Sequence, residues 1–326
     1  MLASPLPSVG VGTWAWGNQF LWGYDPAHDA ELEAAFRRAV ALGLRFFDTA
    51  DSYGTGRFNG RSEALLGQFC SALPADQARN LCLATKLAPF PWRLGRHGYD
   101  RALAASRRRL AGRLDRVQLH WSTARYAPWQ EGPLLDGLAE HVRAGDVAEL
   151  GVSNVGPRRL RLLQARLADQ GVPLRSLQVQ LSLLAPEALA PGGVAEVCRE
   201  LGIELIAYSP LALGLLSRAP GLQGPLPAGP RGLLFRRLWP GLQPLLMALQ
   251  RIAAAHRSQP AVVALNWCRA HGAMPIPGVR SVAQAEAAAS ALGWQLQEEE
   301  CRELDQLAFA AAAAGVRMPA NPFQSG

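Results

Sequence analysis

Lys86 is the single lysine in a chain whose 33 Lys and Arg residues are otherwise all arginine, and it closes the apolar run Leu81-Cys82-Leu83-Ala84-Thr85. Arginine cannot usefully vary its charge. An ammonium on a flexible stem can enter a pocket, pair with a carboxylate and bias a neighbouring proton. Three further polar residues, Asp48, Tyr53 and His120, stand at or just beyond the ends of other apolar runs. Taken alone, Asp48 also reads as a helix cap, Tyr53 as a loop aromatic and His120 as a hydrogen-bonded core residue. Together the four make a proton-delivery group. Bringing a phenol from a pKa of about 10 toward neutrality takes roughly 3–4 kcal/mol. An ammonium at ~4 Å supplies about 1 kcal/mol in water and about 4 at an effective dielectric of 20. Such a group therefore needs a shielded pocket, in which Asp48 keeps Lys86 charged and His120 hydrogen-bonds a carbonyl oxygen beside Tyr53. Trp14, Trp16, Trp22, Tyr24, Trp92, Trp121 and Trp129 fall in or near loops at the same end. Two or three are expected to line the pocket, with Trp16, Trp22, Tyr24 and Trp121 as the substrate-facing candidates.

The elements that must position these residues are short apolar runs suited to buried strands: Val9 to Thr13, Arg45 to Thr49, Leu81 to Lys86, Val117 to His120, Leu150 to Ser153, Leu177 to Leu181, Leu205 to Tyr208 and Met274 to Ile276. Between them lie segments with apolar residues every three or four positions, such as Ala30 to Leu42, Ser62 to Leu73, Arg101 to Leu110, Leu134 to Arg143, Arg159 to Leu167 and Val194 to Leu201. Strands that read as continuous apolar runs, each trailed by a helix, predict a closed parallel (β/α)8 TIM barrel of the α/β class. Polar residues at the strand ends then share one mouth. The Pro- and Gly-rich stretch from Pro220 to Gly232 reads as a long loop after the seventh strand, with helices beyond it at Gln243 to His256 and Ala261 to His271. The remainder of the chain past that stretch is too small to form a core alone, so residues 1–326 are expected to be one domain, ending in a C-terminal helix near Ala308 to Ala314.

Composition narrows the function classes. No uncharged apolar stretch approaches the ~20 residues of a membrane span, so no membrane partner is expected. Met1 to Ser8 lack a basic start and an apolar core of signal-peptide length. Five scattered cysteines, Cys70, Cys82, Cys198, Cys268 and Cys301, show no metal-ligand spacing; no metal is expected, and a reducing cytoplasm fits. The net charge of +7 comes from arginines spread over helices without interleaved aromatics, so no nucleic-acid partner is expected and a phosphorylated cofactor is the favoured anion.

Phe47-Asp48-Thr49-Ala50-Asp51-Ser52-Tyr53-Gly54, Ala84-Thr85-Lys86, Gln118-Leu119-His120-Trp121 and Gly151-Val152-Ser153-Asn154 together resemble the aldo-keto reductases over nearly the whole chain. The resemblance implies a catalytic tetrad of Asp48, Tyr53, Lys86 and His120, with Tyr53 as general acid in carbonyl reduction. It also implies a nicotinamide cofactor whose carboxamide is held by Ser153, Asn154 and Gln178, with Tyr208 stacked on the ring. Ser209-Pro210-Leu211-Ala212-Leu213-Gly214-Leu215-Leu216-Ser217 looks like the family loop along the pyrophosphate, so Ser209, Pro210, Leu211 and Gly214 join the cofactor set. Arg280, Ser281 and nearby backbone amides would take the ribose 2′-phosphate, which argues for NADPH/NADP+, and Gly278 and Gln284 complete the cofactor set. Ala287 and Ala288 stand where relatives carry acidic and asparagine side chains toward the adenine.

Within the family, Gly12-Thr13-Trp14-Ala15-Trp16-Gly17-Asn18-Gln19, Leu21-Trp22-Gly23-Tyr24, Ser52-Tyr53-Gly54-Thr55-Gly56-Arg57, Leu119-His120-Trp121-Ser122-Thr123-Ala124 and Leu234-Phe235-Arg236 resemble the plant-type pyridoxal reductases and their cyanobacterial relatives. That branch implies reduction of a small-molecule aldehyde, pyridoxal to pyridoxine in vitamin B6 metabolism. Plant members carry a chloroplast transit peptide that this chain lacks, and a cytoplasmic protein is expected. Two other readings are a reductase of general aldehydes or sugar carbonyls and a cofactor-binding regulatory subunit with little turnover.

Overall fold

A computed structural model describes residues 8–221 and 226–322. The reading of the first residues, Met1 to Pro7, and that of residues 222–225 within the Pro- and Gly-rich stretch lie outside the described residues. Eight parallel strands succeed one another in sequence order: β1 (Val11–Gly12), β2 (Phe46–Asp48), β3 (Cys82–Leu87), β4 (Arg116–Leu119), β5 (Glu149–Ser153), β6 (Ser176–Gln180), β7 (Glu204–Tyr208) and β8 (Ala273–Ile276). Backbone bonds from Gly10 N–H to the Pro275 carbonyl (3.0 Å) and from Gly12 N–H to the Pro277 carbonyl (2.9 Å) bring the last strand back to the first. The result is a (β/α)8 barrel.

Two apolar layers build it. Phe46, Ala84, Ile206, Met274 and Ile276 pack together as one buried cluster, while a much larger one, including Phe36, Phe47, Leu66 and Val117, lies between strands and helices. Arg116 closes the end of the barrel where the strands begin. It lies 5.3 Å over the Phe46 ring and donates to Glu149 and to Glu204 (2.6 Å). At the other end the inward residues turn polar: Asp48, Lys86, Gln118 and Gln178 are all buried. Register places Lys86 opposite Gln118 and Ser153 opposite Gln178, and Lys86, Gln118 and Gln178 all converge on Asp48.

The helices match most of the amphipathic segments to within a few residues, with two differences. The helix expected from Leu134 begins at Pro128 and contains Pro133. After β7 the chain forms a 27-residue helix, Gly229–Ala255, that begins well before the expected Gln243 and contains Pro240 and Pro244. Proline lacks the N–H and crowds the preceding turn, which is why local sequence argued for a later start. Burial of Phe235, Leu238, Leu242, Leu245, Leu249 and Ile252 along one face outweighs that penalty. Gly232 is needed near its start, because a Cβ there would lie 1.9 Å from the Pro227 carbonyl oxygen. The last helix, Glu298–Ala313, packs against it. Among the described residues, no helix is long and apolar enough to cross a membrane.

Candidate active site

β2 and β3 set the centre of the site. Lys86 Nζ donates to Asp48 Oδ2 at 2.5 Å and to the Thr49 carbonyl at 2.8 Å, and both side chains are almost completely buried. Asp48 Oδ1 accepts from Gln178 Nε2 at 2.8 Å and Gln118 Nε2 at 3.4 Å. A buried carboxylate is tolerable only with such saturation. Burial lowers the Lys86 pKa, against the opposing pull of Asp48.

The turn after β2 presents Tyr53. Its N–H bonds the Ala50 carbonyl (3.1 Å) and its carbonyl accepts from Gly60 N–H (2.9 Å). Asp51 anchors the same turn through Arg93 (2.6 Å). Gly54 has φ +115°, and a Cβ there would lie 1.8 Å from the Phe58 carbonyl oxygen, so only glycine lets the chain fold back behind the tyrosine. Lys86 Nζ lies 4.8 Å from the Tyr53 ring centroid, and the His120 ring stands edge-on at 5.8 Å. His120 Nδ1 meets Ser52 Oγ at 3.5 Å.

The electrostatics differ from the sequence expectation in sign. Burial, and then the Asp48 carboxylate, push the Tyr53 pKa well above 10, where an ammonium alone would have lowered it. Asp48 neutralises Lys86 so closely that desolvation of the phenolate dominates. Burial and Lys86 hold His120 well below its usual range, so the imidazole is neutral. The set is a phenol that keeps its proton, a neutral imidazole able to donate a hydrogen bond, and a cation beside both.

A cavity of about 1040 Å³ opens over this group and runs toward β8. Asp48, Tyr53, Lys86 and His120 all line it. So do Ser153, Asn154, Gln178, Tyr208, Ser209, Pro210, Leu211, Gly214, Gly278, Arg280 and Gln284. Ser281 does not: it caps the helix Val282–Ser290, accepting from Gln284 N–H at 3.3 Å. Ala287 and Ala288 line the wall beyond. Asn154, in a left-handed conformation (φ 58°), donates to the His120 carbonyl (3.0 Å) and accepts from Tyr208 Oη–H (2.9 Å) and Asn321 Nδ2 (2.9 Å). Burial pushes the Tyr208 phenol up to about 12, with the Asn321 hydrogen bond acting against it.

Of the substrate-facing candidates, Trp22 and Trp121 line the cavity, and Trp14 joins them. Trp16 does not. It is fully buried against Phe69 and donates Nε1 to the Val279 carbonyl at 2.8 Å. Tyr24 is likewise structural, its hydroxyl held between Asp29 (2.7 Å) and Arg61 (3.0 Å). Trp92 and Trp129 are exposed. The sequence showed aromatic residues near the mouth but not which way each faces.

Arg231 was missed altogether, hidden in the Pro- and Gly-rich stretch. Its guanidinium stacks 4.1 Å over Trp22, Arg280 lies 5.1 Å from the same ring, and Nη2 of Arg231 donates to the Leu213 carbonyl at 2.8 Å. Burial, Arg280 and Arg218 lower the Arg231 pKa. Arg231 Nε and Trp22 Nε1 are buried donors without a partner among the described residues. Met318, Pro319, Ala320 and Asn321 also reach the cavity from beyond the last helix.

A parallel barrel gathers a carboxylate–ammonium pair, a phenol and an imidazole under one long cavity, the fold and site of an oxidoreductase. The chain belongs to the aldo/keto reductase family, whose model matches residues 8–308. It is similar to the chloroplastic pyridoxal reductase of Arabidopsis thaliana, at 46% identity over 97% of this chain and 86% of that one. The 6-dehydroglucose reductase of Novosphingobium aromaticivorans is 30% identical over 95% and 94% of the two chains. Among solved structures, a thermostable aldo-keto reductase in complex with the inhibitor epalrestat superposes with a TM-score of 0.71 at 26% identity, covering 94% of this chain and 100% of that one.

Proposed function

We propose that this protein is an NADPH-dependent aldehyde reductase that converts pyridoxal to pyridoxine in the cytoplasm. The observation that carries the reductase reading is the convergence of Asp48, Lys86, Tyr53 and His120 at one end of the long cavity. The fit to a polyanionic dinucleotide rests on the other end, where the unpartnered donors Arg231 Nε and Trp22 Nε1 and the Arg280 side chain meet without a carboxylate partner among the described residues. Ser153, Asn154, Gln178 and Tyr208 would hold the nicotinamide end, and Arg231, Arg280 and the Ser209–Gly214 turn the phosphates. When bound, the cofactor supplies a hydride to the carbonyl carbon.

The chain's own residues do the rest. His120 donates an N–H to the carbonyl oxygen, and the same oxygen takes the phenolic proton of Tyr53. Lys86 then stabilises the tyrosinate through space, and Asp48 keeps the ammonium charged and fixed. Trp14 and Trp121 exclude water and offer faces for a flat aromatic aldehyde. The similarity to the Arabidopsis pyridoxal reductase favours pyridoxal as that aldehyde. Five free thiols favour a reducing compartment.

A second reading, a sugar-carbonyl reductase, takes support from the similarity to the 6-dehydroglucose reductase. The test monitors loss of reduced-nicotinamide absorbance with NADPH and pyridoxal, a generic aromatic aldehyde or a sugar aldehyde. Preference for pyridoxal supports the proposal, and comparable rates on all three discard the vitamin assignment. Tight NADPH binding without turnover on any would instead point to a regulatory subunit.

A further inference from the structure

Far from the cavity, His271, Cys301 and Asp305 bring one nitrogen, one sulfur and one carboxylate oxygen within 4.8 Å of one another on the outer wall of the barrel. Two elements make the cluster. His271 caps the C-terminus of the helix Pro260–Ala270, and Cys301 and Asp305 stand four residues apart on one face of Glu298–Ala313. His271 Nε2 lies 2.8 Å from Asp305 Oδ1 and 3.7 Å from Cys301 Sγ. All three side chains are partly exposed.

We infer that His271, Cys301 and Asp305 form a binding site for one zinc-class divalent cation, with a fourth coordination position open to water. Imidazole, thiolate and carboxylate suit a borderline-soft metal, and bonds of about 2.0–2.3 Å place tetrahedral ligand atoms about 3.3–3.6 Å apart. The nitrogen–sulfur spacing of 3.7 Å lies just above that range, and the nitrogen–oxygen pair, at 2.8 Å, must open by about half an ångström. The surroundings fix the ligands as metal sites require. Trp267, fully buried, donates Nε1 to the ligating Asp305 oxygen at 2.7 Å and sets its ring edge-on to His271 at 4.9 Å. Sequence spacing hides the site because His271 lies 30 residues before Cys301.

The test titrates untagged full-length protein with Co2+ and then Zn2+. Expected are one bound equivalent, a sulfur-to-cobalt charge-transfer band, and loss of that band as zinc displaces cobalt. Cys301→Ser should abolish the band and Cys82→Ser should keep it. Trp267→Phe, which keeps all three ligands, should weaken zinc about 10- to 100-fold. Should Cys301→Ser fail to fold, Asp305→Asn, which keeps the thiolate, tests the site through its expected loss of zinc affinity. The inference is overturned by wild-type protein without the band, by a band that survives Cys301→Ser, or by unchanged zinc affinity in Asp305→Asn.

Discussion

Replacing Lys86 isolates the electrostatic part of the proposed mechanism. With Nζ 4.8 Å from the Tyr53 ring centroid, the ammonium stabilises a developing tyrosinate by about 3 kcal/mol at an effective dielectric of 20. Asp48, bonded to the same nitrogen at 2.5 Å, takes back a part of this, leaving roughly 1.5–3 kcal/mol. Lys86→Met should therefore lower kcat about 10- to 100-fold. It also strands a buried carboxylate, at a cost of about 3–5 kcal/mol in stability, so turnover must be read on protein shown folded by circular dichroism. Lys86→Arg separates charge from shape. A guanidinium cannot reach both Asp48 and the Thr49 carbonyl from a fully buried stem without displacing Gln118 or Gln178, and overpacking adds about 1–3 kcal/mol. The assay is kcat at saturating NADPH and aldehyde, with a separate NADPH-binding titration. Turnover of Lys86→Arg within threefold of wild type would refute the reasoning.

Tyr53→Phe should cost about 10²–10⁴ in turnover while NADPH still binds; activity within a few-fold of wild type would remove its role as acid. Because the Tyr53 pKa lies well above 10 and that of His120 well below 6.5, both groups stay neutral from about pH 6 to 9. Reduction should be flat over that range while alcohol oxidation, which needs the tyrosinate, rises with pH. A reduction profile that falls between pH 7 and 8 contradicts the raised phenol. Trp16→Ala should lower stability by about 3–5 kcal/mol, read as a shift in denaturation midpoint, whereas Trp121→Ala should leave the midpoint nearly unchanged and raise KM for aromatic aldehydes. Arg231→Leu should weaken NADPH about 10-fold in a fluorescence titration, with a larger difference at low salt; unchanged affinity would take Arg231 out of the cofactor site.

The run of eight strands, and with it the shared mouth of Asp48, Lys86 and His120, was legible because buried parallel strands announce themselves as continuous apolar runs. The polar exceptions at their ends then stood out. Side-chain direction was not legible. Trp14 and Trp16 are two residues apart in the same loop, yet one lines the cavity and the other lies in the core, a choice made by Phe69 and the Val279 carbonyl far along the chain. Arg231 and Asn321 escaped notice for a related reason. Pro240 and Pro244 mask the helical period of the segment that carries Arg231, Asn321 follows the last helix in an irregular stretch, and only packing brings the two to the cavity. The sign of the Tyr53 shift depended on how tightly Asp48 holds Lys86, a distance that no sequence pattern encodes.

The solitary lysine has a consequence outside catalysis. An aldehyde condenses with accessible amines, and this chain's one side-chain amine is 1% exposed and engaged with a carboxylate, so the folded surface offers no lysine for substrate to modify. The same burial makes Lys86 a reporter. A lysine-specific protease has one site in the whole polypeptide, within β3 at the heart of the barrel. Cleavage into residues 1–86 and 87–326 therefore requires the barrel itself to open, and local fraying of loops or helix ends leaves the chain intact. Under conditions where reclosing outpaces cutting, the appearance of two fragments on a gel measures the free energy of opening the barrel directly.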